Sequence, residues 1–343
     1  MIKLLVSAIE PSANLHLENL IFSGEGTEIG GIFDPRLGKA DFNSNEFNVM
    51  GFLDVIPKIL KAKKVIKELA ILSLKYDKVL LIDAPSFNIP LAKAIKKINP
   101  KIIIIYYILP KVWVWKKNRI KTVERYTDVQ VSIFPFEKRF FKNSIYAGNP
   151  LVEEIKQTKA KVTKNGIVAF LAGSRKSEIK ALMGVFREVA KKVDEKKILV
   201  IPPHFSPKEI AEIYGNISQF EISSDTHDTL LKSDFAFICS GTATLEASII
   251  GTPFVLVYIA RKFDAFIVRT FIKLNFVGLA NIILDYQNKP PLHKELLQEK
   301  VTCQNLFTEY QTLNRSKFIK SSITLKNHLI QKIDKNLYQI LIN

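Results

Sequence analysis

The sequence predicts an α/β protein built from two doubly wound, Rossmann-like halves. Three observations predict it. Short β-branched or apolar runs recur along the chain, most of them are continuously apolar, and segments of helical period lie between them. A strand buried on both faces reads as an unbroken apolar block, the mark of a parallel sheet covered by helices. Regular alternation of such strands with helices defines the α/β class.

In chain order, the strand candidates are Ile2–Ser7, Lys78–Ile82, 101–107, 129–133, Ile167–Leu171, 197–201, Phe235–Cys239 and Phe254–Tyr258. The clearest helix spans 58–75, where Ile59, Leu60, Ile66, Leu69 and Leu74 oppose a face of lysines. The stretch 157–166 (QTKAKVTKNG) is polar and basic, follows Asn149-Pro150 and precedes a fresh strand, so a boundary is expected there. Residues 1–160 and 161–310 then each have the size of one nucleotide-binding α/β unit. Residues 311–343 carry helical spacing (Phe318, Ile319, Leu325, Leu329, Ile333, Leu337, Ile340). They are expected to pack back on the body or to form a homodimer contact.

Composition narrows the partners. The 343 residues carry 50 basic and 33 acidic side chains, a net charge of +17. That bias favours anionic partners: nucleic acid, anionic lipid or phosphorylated substrates. No nucleic-acid module is present, and the lysines lie along helices without interleaved aromatics, so nucleic acid is not expected. Two cysteines, Cys239 and Cys303, exclude a disulfide scaffold and a cysteine-based zinc site. The five histidines are scattered, with no paired ligand spacing and no Asp-x-Asp, so no metal and no cofactor are expected. The apolar start stops at Glu10, too short for a signal core, and no run approaches the roughly 20 apolar residues of a spanning helix.

Five segments carry candidate chemistry. After Phe235–Cys239 come Ser240, Gly241, Thr242, Ala243 and, one helical turn on, Glu246. A strand running through such a turn into a helix exposes backbone N–H groups and hydroxyls to a phosphate, and Glu246 can accept from ribose hydroxyls. A plain capped helix start has the same sequence. After Ile167–Leu171 come Gly173, Ser174 and Arg175, a turn allowing close backbone approach with a forked donor for a diphosphate; a capped basic turn is the alternative. The chain has no P-loop and no GxGxxG, which disfavours ATP hydrolysis and a dinucleotide. After Lys78–Ile82, Asp83 sits where open α/β sheets bind ligands and can act as a general base, or can be a turn residue. Glu10 follows Ile2–Ser7 in the same way. Finally, Val49, Met50, Phe52, Leu53 and Ile56 lead into Lys58 and Lys61, either a surface for acyl chains and anionic lipid or an ordinary amphipathic helix.

In order, these segments resemble the motifs of the lipid-A-disaccharide synthase family. Residues 9–14 match its GEASGD turn, 50–55 its MGxxEV patch, 82–88 IDAPDFN, and 110–115 PSVWAW. Residues 134–138 match LPFEK, 172–175 PGSR, 240–246 SGTAxLE, 279–282 the asparagine-containing LPNLL, and 295–299 ELLQE. The resemblance implies a GT-B architecture, two α/β domains facing across a cleft. It implies metal-independent, inverting transfer of 2,3-diacylglucosamine from its UDP conjugate to the 6-hydroxyl of 2,3-diacylglucosamine 1-phosphate. Asp83 is then the favoured base and Glu10 a further required acid. UDP contacts fall to Gly173, Ser174, Arg175, Ser240, Gly241, Thr242, Ala243, Glu246 and Asn281. A cytoplasmic protein held peripherally at the anionic inner membrane surface is implied as well. The chain departs from the pattern at Ile9, Ala13, Asn14, Ser86 and Ala172. The alternative is another membrane-associated GT-B transferase, or an epimerase, using a UDP-N-acetylhexosamine.

Overall fold

The structure, a computed structural model, describes residues 2–22, 27–47, 55–259, 274–331 and 333–342. The chain divides into two units: Met1–Pro150 with Lys332–Asn343, and Leu151–Gln331.

The first unit runs β1 (Ile2–Ser7), α1 (Pro11–Phe22), β2 (Thr27–Phe33), β3 (Phe42–Asn43), α2 (Val55–Leu72), β4 (Lys78–Ile82), α3 (Pro85–Ile98), β5 (Ile103–Tyr107), α4 (Arg119–Tyr126), β6 (Val129–Ser132) and β7 (Ile145–Tyr146). Its strands lie in the order β3-β2-β1-β4-β5-β6-β7, with every neighbouring pair parallel. The apolar blocks split by the period of two. Leu5, Val79, Leu81, Ile104 and Tyr106 face a core closed by Leu69 of α2 and by Phe87, Leu91 and Ile95 of α3. Leu4, Val6, Leu80, Ile82, Ile105 and Tyr107 face the opposite core, closed by Ala13 and Leu17 of α1. A strand needs two apolar faces only when both are covered, and here both are.

The chain's last segment returns to this unit. Ile340 and Leu341, in the helix Leu337–Ile342, join the core on the α1 side. Lys78 Nζ donates to the Leu341 carbonyl (2.8 Å), and Asp334 accepts from the Tyr146 N–H (2.7 Å) and pairs with Lys138 (2.6 Å).

After a short helix α5 (Pro150–Glu154), the second unit runs β8 (Ile167–Leu171), α6 (Lys176–Ala190), β9 (Lys196–Val200), α7 (Pro207–Tyr214), β10 (Glu221–Ser223), α8 (Thr226–Lys232), β11 (Phe235–Cys239), α9 (Thr242–Ile250), β12 (Phe254–Tyr258) and β13 (Glu295–Leu297). Strand order is β10-β9-β8-β11-β12-β13, again parallel throughout. Phe170 packs on Phe186 of α6 and Phe237 of β11, with ring centroids 5.5 and 5.0 Å apart. The helix Arg315–Gln331 buries Phe318, Ile319, Leu325 and Leu329 and packs on α9. Lys159, inside the polar stretch 157–166, is itself buried. Its ammonium donates to the carbonyls of Leu230 (3.0 Å) and Ser233, at the carboxyl end of α8, where a cation is favoured. Among the described residues, no helix is long and apolar enough to cross a membrane.

β2 is a strand that its own sequence conceals, because Gly30 and Gly31 interrupt the apolar run. The structure requires the second of them. Gly31 has φ +116°, and a Cβ there would stand 2.2 Å from the Val6 carbonyl of β1. Gly31→Ala is therefore expected to lower stability by at least about 2–3 kcal/mol in urea unfolding, through strain and a clash with immobile backbone; a change under about 0.5 kcal/mol would show that β1 and β2 do not approach this closely.

Candidate functional site

In each unit the strand order reverses at one pair of neighbours: β1 and β4 in the first, β8 and β11 in the second. The helices that follow such a pair leave on opposite faces, and open α/β sheets bind ligands in the crevice this opens at the carboxyl ends of the strands. The candidate residues fall at these two points. Glu10 follows β1 and Asp83 follows β4; the turn 172–175 follows β8 and the turn 240–242 follows β11.

In the first unit, Asp83 and Ala84 both adopt the left-handed backbone region, with φ +49° and +42°. For residues bearing a Cβ this costs about 1–2 kcal/mol each, and such strain persists only where surrounding contacts over-determine it. Those contacts are present. The Asp83 N–H donates to the Tyr107 carbonyl (3.0 Å), while its own carbonyl accepts from Tyr106 Oη (2.9 Å) and Asn88 Nδ2 (2.8 Å). Asp83 is half-buried, and desolvation raises its carboxyl above the usual range; the Lys111 ammonium and the Ala84 N–H oppose that rise. Glu10 is raised by partial desolvation and by the Asp83 charge, again opposed by Lys111. Two carboxylates and one ammonium thus share the carboxyl ends of β1, β4 and β5. A carboxylate whose basicity is raised by burial is suited to removing a proton from a hydroxyl.

Lys111 belongs to a loop with a firm base. Trp113 is buried, stacks edge-on against Phe136 (5.4 Å) and donates through Nε1 to Glu137 Oε1 (3.3 Å). Trp115 is 52 % exposed, with Lys116 Nζ 4.2 Å from its ring centroid. Asn14, where the family pattern has an acid, is a brace. Its Nδ2 donates to the Ala8 carbonyl (3.0 Å) and its Oδ1 accepts from the Asp34 N–H (2.7 Å).

In the second unit, Gly173 has φ +101°, and a Cβ there would stand 2.7 Å from Glu178 Oε2 and 3.1 Å from Cys239 Sγ. The exposed Arg175 is oriented by Glu178, whose Oε1 accepts from its Nη1 at 2.8 Å. Gly241 begins α9 with no side-chain cap, and both Gly241 and Thr242 are exposed, so the first N–H groups of that helix are available to an anion. One turn on, desolvation by burial and the charges of Glu154 and Asp225 push the Glu246 carboxyl up to about 7; His227 Nδ1 stands 3.7 Å from it.

Asn281 lies in the same unit but is fully buried in the helix Leu279–Asp285. Its Nδ2 donates to the His293 carbonyl (2.9 Å) and Glu295 Oε1 (2.8 Å), and its Oδ1 accepts from the Leu292 N–H (2.8 Å). The side chain ties this helix to the lead-in of β13. Of the basic apolar patch, Val49, Met50, Phe52 and Leu53 lie outside the described residues. Ile56 and Lys58 fall within α2, and Lys61 is exposed, paired with Glu46 and 5.4 Å above the Phe47 ring. Sequence reasoning passed over Lys111, Glu178, Tyr106 and His227. Glu178 alone had a local signal, an acid three residues into a helix that begins after Arg175.

Two parallel-sheet units with phosphate-type turns at the switch points define the class, the GT-B glycosyltransferase fold. The spinosyn rhamnosyltransferase SpnG complexed with thymidine diphosphate has the same fold over all of both chains, at 11 % identity and a TM-score of 0.63. The sequence comparison is more specific. The lipid-A-disaccharide synthetase family model matches residues 4–340. Lipid-A-disaccharide synthases of Campylobacter jejuni and Helicobacter acinonychis are 47 % and 42 % identical to this chain. They cover 98 % and 95 % of it, and the alignments span 98 % and 94 % of their own lengths. The chain belongs to the lipid-A-disaccharide synthase family.

Glu137 offers a test of the electrostatics around the Lys111 loop. It is buried, accepts from Trp113 and from the Phe134 N–H (3.2 Å), and burial pushes its carboxyl up to about 7. A raised carboxyl binds more protons folded than unfolded between about 4.5 and 7, so its ionisation opposes folding as pH rises through that window and adds nothing further above it. In urea unfolding, the stability of Glu137→Gln relative to wild type is expected to climb by roughly 3 kcal/mol from pH 4.5 to 7; parallel pH profiles would contradict it.

Proposed function

We propose that this chain transfers 2,3-diacylglucosamine from UDP-2,3-diacylglucosamine to the 6-hydroxyl of 2,3-diacylglucosamine 1-phosphate. The products are the β-1,6-linked disaccharide 1-phosphate and UDP. The observation that carries this reading is the near full-length match to the family, with Asp83 at the switch point of the first unit as its chemical counterpart.

Asp83 takes the proton of the acceptor 6-hydroxyl. The freed oxygen pair attacks the anomeric carbon from the face opposite the nucleotide, and the bond from that carbon to the UDP oxygen breaks with its electrons on the diphosphate. Configuration therefore inverts. Arg175 and the first N–H groups of α9 meet the charge that develops on the leaving diphosphate, which is where fixed donors accelerate most. Glu246, raised toward neutrality, accepts from the ribose hydroxyls; the 2.8 Å bond from Arg175 to Glu178 holds the guanidinium ready for the diphosphate. Glu10 shares the crevice with Asp83, and Asn281 supports the nucleotide side by holding its helix in place.

Asp83→Asn tests the reading: it keeps size and removes basicity, so turnover is expected to fall at least about 100-fold, the usual worth of a general base. UDP affinity in calorimetry should stay as in wild type. Near-normal turnover would remove Asp83 from the mechanism.

The acyl chains imply a lipid surface. On α2, Ile59 and Leu60 are 49 % and 62 % exposed beside the exposed Lys61, Lys63 and Lys64. We read this as a peripheral contact with anionic lipid, each lysine worth roughly 1 kcal/mol near such a surface. Ile59→Ser with Leu60→Ser is expected to weaken sedimentation with anionic vesicles while sparing turnover of a short-chain, soluble acceptor. Equal loss of both would make the pair part of the folded core, and loss of neither would put the lipid contact elsewhere.

A further inference from the structure

We propose that Tyr106 and Asn88 are positioning residues for Asp83: by locking its carbonyl they aim its carboxylate. The proposal rests on Asp83 being the base and adds the means by which the base is directed.

A side chain leaves the backbone along a direction set by the two peptide planes that flank its Cα, because each plane is rigid. At Asp83 both planes are held. Its N–H extends the sheet ladder to the Tyr107 carbonyl (3.0 Å), so the preceding plane is fixed by β5. The plane that follows is fixed by two side chains at once, Tyr106 Oη at 2.9 Å and Asn88 Nδ2 at 2.8 Å on the Asp83 carbonyl. Asn88 is held in turn. Its Oδ1 accepts from Ser7 Oγ (2.6 Å), and its Nδ2 also donates to the Ile82 carbonyl (3.1 Å). The brace therefore ties together the ends of β1, β4 and β5 and the first turn of α3.

A brace is needed because the backbone here resists its own shape. Asp83 and Ala84 carry φ of +49° and +42°, and without an anchored carbonyl that peptide would relax toward the extended region, swinging the carboxylate away. Tyr106 is fully buried on the face that packs against α3, and Asn88 is fully buried too. Burial holds the phenol far above its ordinary range, so it remains a proton donor to the carbonyl at any working pH. Neither side chain reaches Asp83 through its carboxylate. Their effect on chemistry runs through the backbone.

Tyr106→Phe removes one hydroxyl and keeps the ring. In the full-length enzyme kcat is expected to fall roughly 10- to 100-fold, the scale on which a reactive group displaced by about an ångström loses rate. KM for both substrates should change less than about twofold, and UDP affinity should be unchanged. The discriminating measurement is the double variant. Asp83→Asn with Tyr106→Phe should turn over as slowly as Asp83→Asn alone, because aiming matters only while there is a base to aim. A merely structural role would slow both backgrounds alike. Asn88→Ala, read by the same cycle, serves if Tyr106→Phe melts below the assay temperature.

Wild-type kcat in Tyr106→Phe, or additive losses in the cycle, would overturn the positioning role and leave the base assignment standing. Near-normal turnover of Asp83→Asn would overturn both.

Discussion

The reversal of strand order in each parallel sheet fixes where the candidate residues can stand. β1 is followed by a helix on one face of the first sheet and β4 by a helix on the other, as their separate cores show. The two loops must part, and the carboxyl ends of two adjacent strands are left without a crossover above them. Glu10 and Asp83 occupy that opening. The second sheet repeats the device between β8 and β11 and lines it with N–H donors, hydroxyls and Arg175, with the carboxylates of Glu178 and Glu246 beside them. One topology thus yields two crevices of different chemistry, the difference lying in a few loop residues.

The two crevices solve different electrostatic problems. In the first, burial raises two neighbouring carboxyls and Lys111 restrains the rise. The left-handed turn at Asp83 and Ala84 adds strain that the Tyr106–Asn88–Ser7 brace offsets. In the second, an uncapped helix start and an arginine oriented by Glu178 form a site for negative charge, while the buried side of the same helix raises Glu246. In the mechanism proposed above, Asp83 is the half-desolvated base and Arg175 with the start of α9 meets the leaving group, the two parts an inverting transfer needs.

Much of this was legible in the chain itself. Strands buried on both faces announce themselves as apolar blocks, and β1, β4, β8, β11 and β12 coincide with theirs end to end. β2 was hidden because Gly31 serves close approach to the β1 backbone and Gly30 leaves room for the Tyr76 side chain. β3, β7, β10 and β13 are two or three residues long, below the length at which a period can be read. The strand-end positions of Glu10, Asp83, Arg175 and Glu246 followed from local pattern. What pattern could not give was partnership across the chain. Lys111 beside Glu10 and Asp83, or Tyr106 on the carbonyl of Asp83, exists only once β5 lies next to β4. Asn281 carries the complementary lesson: the motif suggests a ligand contact, while the structure places the amide in the core, holding the loop that leads into β13, and sequence does not distinguish the two.

Product analysis decides whether the proposed transfer takes place. Purified protein would be mixed with UDP-2,3-diacylglucosamine and 2,3-diacylglucosamine 1-phosphate, and the lipid product examined by mass spectrometry and by proton NMR of its anomeric signal. One disaccharide 1-phosphate is expected per UDP released, linked to the 6-hydroxyl with the β configuration. UDP release without disaccharide, an α linkage, or an epimerised nucleotide sugar in place of a glycosidic bond would contradict it.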